Sequence, residues 1–360
     1  FIFGDFPVFL DFCMENACMK RRILWGICLV AGIVVLGTGS VDSLARQKEN
    51  GKGLTLVFET PLPGRTTRFD YQSLDPATGR LFLAHLGDGR LVVFDTVKRK
   101  VVADIPGFPH VHGVLVVPGR HRVYATVSPL SREKTGRLVV LDSVTLRRLA
   151  EVPVGIHPDG LDYEAMTGRV FVSNEWGGSL SVVDADQNRL VGTIPLGGEV
   201  GNTRVDPVDH RVWATVQTRN LLVGVDPRSL EIVRRISLPC DHPHGLLILG
   251  DRHLALVSCE HDARLLGVDL LSGRVLFRST TGKRPDVLSF DPGTRRLYVA
   301  SESGVVSVYR VGVHIEKLSE SFMAPRAHSI LVDPHRSLVY LPLEDAGGVP
   351  LLRIFRWEGR

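Results

Sequence analysis

Seven copies of one short strand set the terms for everything else in this chain. Phe82, Tyr124, Phe171, Trp213, Leu256, Tyr298 and Tyr340 occupy equivalent places in segments such as Arg80-Leu81-Phe82, Arg169-Val170-Phe171 and Arg296-Leu297-Tyr298, at steps of 42, 47, 42, 43, 42 and 42 residues. A period of 40–45 residues in an all-β chain is the signature of a propeller, about four strands to a blade. After Gly53 apolar runs of five to seven residues alternate with Gly, Pro, Asp and Arg turns, and no long stretch carries a helical period. A two-sheet sandwich does not account for seven evenly spaced copies. The fold class expected is therefore all-β, a seven-bladed propeller of four-stranded antiparallel blades.

The clearest unit runs from His157 to Gly197. It holds Gly160–Tyr163, Arg169–Ser173, Ser179–Asp184 and Arg189–Ile194, four strands joined by three tight turns. Blades stacked face to face bury both sheet surfaces, which explains continuous apolar runs such as Leu91-Val92-Val93-Phe94. The last unit stops after three strands, ending at Leu351–Trp357, while the orphan segment Leu54–Glu59 precedes the first unit. That segment is expected to supply the missing strand and close the ring, removing the exposed edges that would template aggregation.

Segments such as Gly168-Arg169-Val170-Phe171-Val172-Ser173-Asn174-Glu175, followed by Ser179-Leu180-Ser181-Val182-Val183-Asp184, resemble the YVTN repeat. So does Arg296-Leu297-Tyr298-Val299-Ala300-Ser301-Glu302. Over residues 54–357 the chain is similar to YncE-like propellers, with blade 5 departing most because Leu256 replaces the aromatic. The resemblance speaks for the fold and leaves function open, since binding roles are proposed for that family more often than catalysis.

Ahead of the repeats, Lys20-Arg21-Arg22 precede an apolar run from Ile23 to Leu36 and then Ser43-Leu44-Ala45. This reads as a signal peptide over residues 19–45, cleaved after Ala45, and too short an apolar run for a permanent anchor. Residues 1–18 read as an extraneous or mis-started extension and 46–53 as a linker. A periplasmic or secreted monomer with no membrane contact after cleavage is expected. The formal charge of +4 is spread evenly, which argues against nucleic acid as a partner, because that partner usually draws a concentrated basic patch. DNA binding, proposed among YncE-like propellers, is the third-ranked reading.

Twelve residues before each anchor stand Asp70, His112, Asp159, Gly201, His244, Asp286 and His328. The resemblance places this position where each inner strand begins, around one mouth of the central channel. Four residues after the anchor stand Leu86, Ser128, Glu175, Gln217, Glu260, Glu302 and Glu344, which antiparallel pairing returns to the same face. Converging carboxylates and imidazoles suit a divalent cation (Ca, Mg or Zn) or acid–base work. The competing expectation is structural: an Asp or His starting a strand often bonds the backbone of a turn, and a structural need recurs in every blade.

Blade 5 breaks the pattern with Cys240-Asp241-His242-Pro243-His244 and Cys259-Glu260-His261-Asp262. Residues two apart in a strand share a side, so His242 and His244 are expected to act together. Cys240 and Cys259 are the only cysteines after the leader, open to three readings: a disulfide, two unlinked thiols or a thiolate metal ligand. Trp176 follows Glu175 on a loop of the same face, suited either to a ligand or to packing against a neighbouring blade.

The preferred reading is a non-enzymatic module binding a small ligand or an envelope protein on a rim of Asp70, His112, Asp159, Asn202, His244, Asp286, His328, Glu175, Glu260 and Glu302. The alternative is a metal-dependent lactonase or lyase, as in propellers resembling gluconolactonases and streptogramin lyases. Its metal would be held by residues from Asp159, Asn202, His244, Asp286 and His328, with Glu260 or Glu302 as base. No nucleophile elbow, phosphate loop or zinc spacing occurs in the sequence.

Overall fold

The computed structural model describes residues 53–359; the signal-peptide, extension and linker assignments fall outside them, apart from Gly53. Seven four-stranded antiparallel sheets follow one another along the chain. Blade 1 spans Gln72–Pro106, blade 2 Val111–Ile156, blade 3 Pro158–Pro195, blade 4 Val200–Ser237, blade 5 Pro243–Thr280 and blade 6 Pro285–Phe322. Blade 7 takes three strands from Leu331–Glu358 and its fourth from the N-terminal strand Gly53–Pro61, paired from Gly53 opposite Glu358 to Pro61 opposite Leu351. Each inner strand packs against that of the next blade, and the inner strand of blade 7 meets that of blade 1. The ring is closed, by the segment the sequence singles out.

The seven anchors are buried at one register, opposite Ser73, Leu115, Asp162, Arg204, Leu247, Ser289 and Leu331 of their inner strands. Two blades show how the slot tolerates a different side chain. In blade 4 the larger Trp213 faces Gly224, where a Cβ would come within 2.9 Å of the indole. In blade 5 the smaller Leu256 faces Gly267, and Phe277 of the outer strand fills the space, so that a Cβ on Gly267 would lie 2.1 Å from its ring. The missing aromatic of blade 5 is thus supplied from two strands away.

Most recurrent acids have a local task. Asp95, Asp142, Asp184 and Asp269 end third strands and Asp226 directly follows one, and each accepts backbone N–H groups two and three residues ahead. Glu164, Asp206, Asp291 and Asp333 do the same after inner strands. These are turn-fixing carboxylates of the kind that repetition favours. The acids at the start of the inner strands behave differently.

Candidate functional site

The inner-strand residues form a circle of side chains that face one another within 4 Å, one pair of them hydrogen-bonded. His112 Nδ1 is 2.7 Å from Asp70 Oδ2 and 3.7 Å from Asp159 Oδ1. His244 Nε2 stands 3.9 Å from Asp159 Oδ2 and 3.3 Å from Asp286 Oδ1, the latter an ion-pair distance off the line of a good hydrogen bond. His328 Nε2 is 3.9 Å from Asp70 Oδ1. Among the described residues, only His328 of these six takes a backbone partner, through Nδ1 and the Arg326 carbonyl at 2.9 Å. The turn-fixing explanation that suits the other repeated acids therefore does not describe this circle.

Charge within the circle is compensated in pairs. Burial pushes the Asp70 carboxyl up, but the hydrogen bond and charge of His112, with Arg68 and His328, outweigh it and leave the group below the ordinary carboxylate range. Asp286 is likewise held low against burial by His244, then His328 and Arg68. His112 and His244 are raised in turn by those carboxylates, despite burial. Asp159 is the exception: burial, with the negative charge of Asp70 and Glu175 set against the opposing pull of His112 and His244, lifts it to about 7. One carboxyl of the ring therefore carries a proton just below neutral pH.

Several polar atoms of this buried circle have no hydrogen-bond partner: Asp159 Oδ2, His244 Nδ1 and His328 Nε2. Further along the inner strands lies a cavity of about 220 Å³ lined by residues including Tyr71, Gln72, Leu115, Leu161, Asp162 and Arg204. The Tyr71 hydroxyl there is also unpartnered.

The other rim candidates are distributed. Glu175 accepts from Gln217 Nε2 at 3.2 Å and faces His157 Nε2 at 3.3 Å. Glu302 pairs with Arg68 at 2.6 Å, and the same guanidinium lies 3.8 Å from Asp286. Glu260 gathers with His242 and His261, and its charge also helps raise His244 of the circle. Asn202 is buried beside the inner strand of blade 3, its Oδ1 3.2 Å from where a Cβ on Gly160 would lie and without a hydrogen-bond partner among the described residues.

One expectation is overturned. His242 and His244 do not act on one side of a strand: His242 precedes the strand Pro243–Leu249 in the left-handed conformation, φ 59°, and turns to stack on His261, while His244 faces Asp286. The left-handed residue breaks the two-residue alternation on which the expectation rested. The Cys240–Cys259 question is answered in the structure by a disulfide. Trp176 is half-buried, stacked on His157 at 3.7 Å and covered by Arg132, whose guanidinium lies 4.6 Å above the indole. Arg132 belongs to the loop 128–134 that accounts for the long 47-residue step, and it reaches on to Glu199 of blade 4 at 2.9 Å.

A second column of residues escaped the sequence reading. Two places before each ring residue stand Arg68, His110, His157, Glu199, His242, Arg284 and Arg326. Five of them, His110, His157, His242, Arg284 and Arg326, share a left-handed backbone. The signal is in the sequence, fourteen residues before each anchor, where six of the seven positions are Arg or His. Arg326 pairs with Glu344 at 2.5 Å, so three arginines, Arg68, Arg284 and Arg326, stand in this column beside the Asp/His circle, two of them paired with glutamates.

No family model matches the chain, and no curated protein matches it. Solved structures do. A chain from the crystal structure of the Mitotic Checkpoint Complex aligns with TM-score 0.72 and 11% identity over 87% of this chain and 94% of that one. The RRP9 WD40 repeats align at 0.71 and 10%, over 84% and 100%. A chain of Kuenenia stuttgartiensis hydrazine synthase aligns at 0.68 and 14%, over 83% and 97%. The fold is a seven-bladed β-propeller with WD40-like neighbours. At these identities the likeness is one of fold, and the YVTN relationship stays a resemblance of motifs.

Proposed function

We propose that this chain is an exported propeller that binds a small polar, hydrogen-bonding ligand at the Asp/His mouth of its channel. One observation carries the reading. The repeated turn acids each bond the backbone of their own turn, whereas Asp159 Oδ2, His244 Nδ1 and His328 Nε2 are buried polar atoms without a hydrogen-bond partner within one circle of side chains. Buried polar groups left without partners cost free energy and call for an explanation such as a ligand or water. Compensated charge favours an organic ligand over a bare cation: His112 and His244 already neutralise Asp70 and Asp286, and Arg68 adds a fixed positive charge beside them. Export is supported by the basic-then-apolar leader and by the disulfide, which persists in oxidising compartments.

The test is a thermal-shift screen of small carboxylates, sugars and amines against the full chain and against an Asp159→Asn, His244→Asn variant. Compounds that raise the melting temperature of the native protein and leave the variant unmoved support the reading. A screen in which nothing separates the two proteins discards it.

A second reading rests on a specific feature. Asp70, His112 and Asp159, and again Asp70, Asp286 and His328, bring ligand atoms within 4.8 Å of one another. A cation held there is the basis for a metal-dependent lactonase or lyase. Melting unchanged by added Ca²⁺, Mg²⁺ or Zn²⁺ in a variant lacking His261, together with no turnover of lactones, removes it.

A further inference from the structure

The departures of blade 5 converge on one place beside the circle. His242, Glu260 and His261 each offer a ligand atom, all within 4.8 Å of one another. The two imidazoles lie face to face, centroids 4.1 Å apart and 11° from parallel; because a nitrogen lone pair lies in its ring plane, holding one ion through both requires the exposed His261 ring to turn about its side-chain bonds. His261 Nδ1 lies 3.3 Å from Asp241 Oδ2. If that contact is donated by Nδ1–H, Nε2 is the nitrogen with a free lone pair, which is how a carboxylate orients a metal-binding imidazole. Among the described residues, no hydrogen bond or ion pair engages the Glu260 carboxylate or the His242 ring nitrogens.

The backbone holds these groups in place from both sides. Cys240 and Cys259 are joined, and each is followed at once by the residues in question: Asp241 and His242 on one segment, Glu260 and His261 on the other. Main-chain bonds from Glu260 N to His242 O at 2.9 Å and from His261 N to Asp241 O at 3.4 Å zip the same segments together. His261 is exposed and His242 and Glu260 are half-buried, so an ion has a route in and a side left open.

We infer that His242, Glu260 and His261 form a binding site for a divalent transition metal of the zinc class, oriented by Asp241 and stapled by the Cys240–Cys259 disulfide. Two imidazoles and one carboxylate are the donor set of open zinc sites, in which a fourth position is kept for water or a ligand atom. Imidazole donors select zinc, copper or nickel over calcium and magnesium, which take oxygen. The site uses donors that the proposed ligand site does not, although its Glu260 carboxylate is close enough to His244 of the circle to help hold that imidazole's pKa up.

The experiment is a calorimetric titration of the metal-free, disulfide-intact full chain with Zn²⁺, with Ca²⁺ as comparator. One equivalent of Zn²⁺ is expected, bound in the presence of excess Ca²⁺. His261→Trp keeps a ring in the stack and removes the donor; it is expected to weaken binding by at least about ten-fold, with Asp241→Asn losing about 10–100-fold as an orienting group does. Asp70→Asn, in the circle, is expected to leave this equivalent in place. On the unmutated protein, Zn²⁺ should slow carbethoxylation of His242 and His261 relative to the exposed His121 and His314. No zinc binding, zinc lost through Asp70→Asn and kept by His261→Trp, or equal modification of all four histidines overturns the inference.

Discussion

Blades 3 and 5 place the same kinds of group in the same slot and finish it in opposite ways. In both, a left-handed histidine, His157 or His242, precedes the inner strand; a glutamate, Glu175 or Glu260, directly follows the second strand; and the next residue stacks its ring on the histidine. In both, the glutamate N–H bonds the histidine carbonyl at 2.9 Å. Blade 3 completes the stack with an indole and covers it with Arg132 from the long loop of blade 2. Burial, with the charge of His112, drives the His157 imidazole down to about 3, so it stays neutral. Blade 5 completes the stack with a second imidazole, leaves it open, and pins it with a disulfide. A repeated scaffold fixes where the rings go, and one side chain decides whether the slot is closed by packing or equipped with donors.

The largest expected effect comes from removing the staple. Cys240→Ser with Cys259→Ser opens a cross-link between residues 19 apart; in the chain-entropy account this costs about 3 kcal/mol, a fall in melting temperature of roughly 5–10 °C by calorimetry. Blade 3 holds its slot without such a link, so an unchanged melting temperature would show that blade 5 does too. Next is Trp176→Ala, which removes the lid of blade 3 and the seat of Arg132. A loss of about 1–2 kcal/mol in urea unfolding is expected, together with faster exchange of loop 128–134.

The two blades also differ within the circle, where blade 3 places Asp159 and blade 5 His244. A carboxyl whose folded value is about 7, against 3.8 unfolded, binds its proton more tightly in the folded state. Its ionisation therefore subtracts stability progressively between about pH 4 and 7, with no further loss above that range. Asp159→Asn removes this term, so its melting temperature is expected to rise relative to the native protein across that window and to stay higher at pH 8. A parallel pair of curves contradicts the assignment. Asp286 and Asp70 have the opposite sign: held low by His244 and His112, they contribute stability above about pH 4 that is lost as pH falls through their depressed values.

The smallest effect on stability, and the sharpest on the comparison, belongs to Trp176→His. It gives blade 3 the ring that blade 5 has, beside His157 and Glu175, and a second, weaker zinc equivalent is expected in the same calorimetric titration. Its absence would show that the disulfide and Asp241, which blade 3 lacks, are needed as well as the donors.

The sequence by itself determined the architecture. Anchor spacing, turn acids and the orphan strand 54–59 are each written in short segments, because a blade is a local meander whose strands pair with their chain neighbours; the closing strand was readable because only one segment lacked a sheet. The ruler also placed Asp70, His112, Asp159, His244, Asp286 and His328 in one column. Tertiary structure alone decided what that column does. The pairing of Asp70 with His112, 42 residues on, and of Arg68 with Glu302, 234 residues on, depends on the angle between blades once the ring has closed. The left-handed turn at His242 is a backbone conformation that composition does not announce, and it took His242 away from His244 and toward His261. Local periodicity specifies which residues start each strand; only the closed ring brings charges from different blades close enough to set one another's protonation.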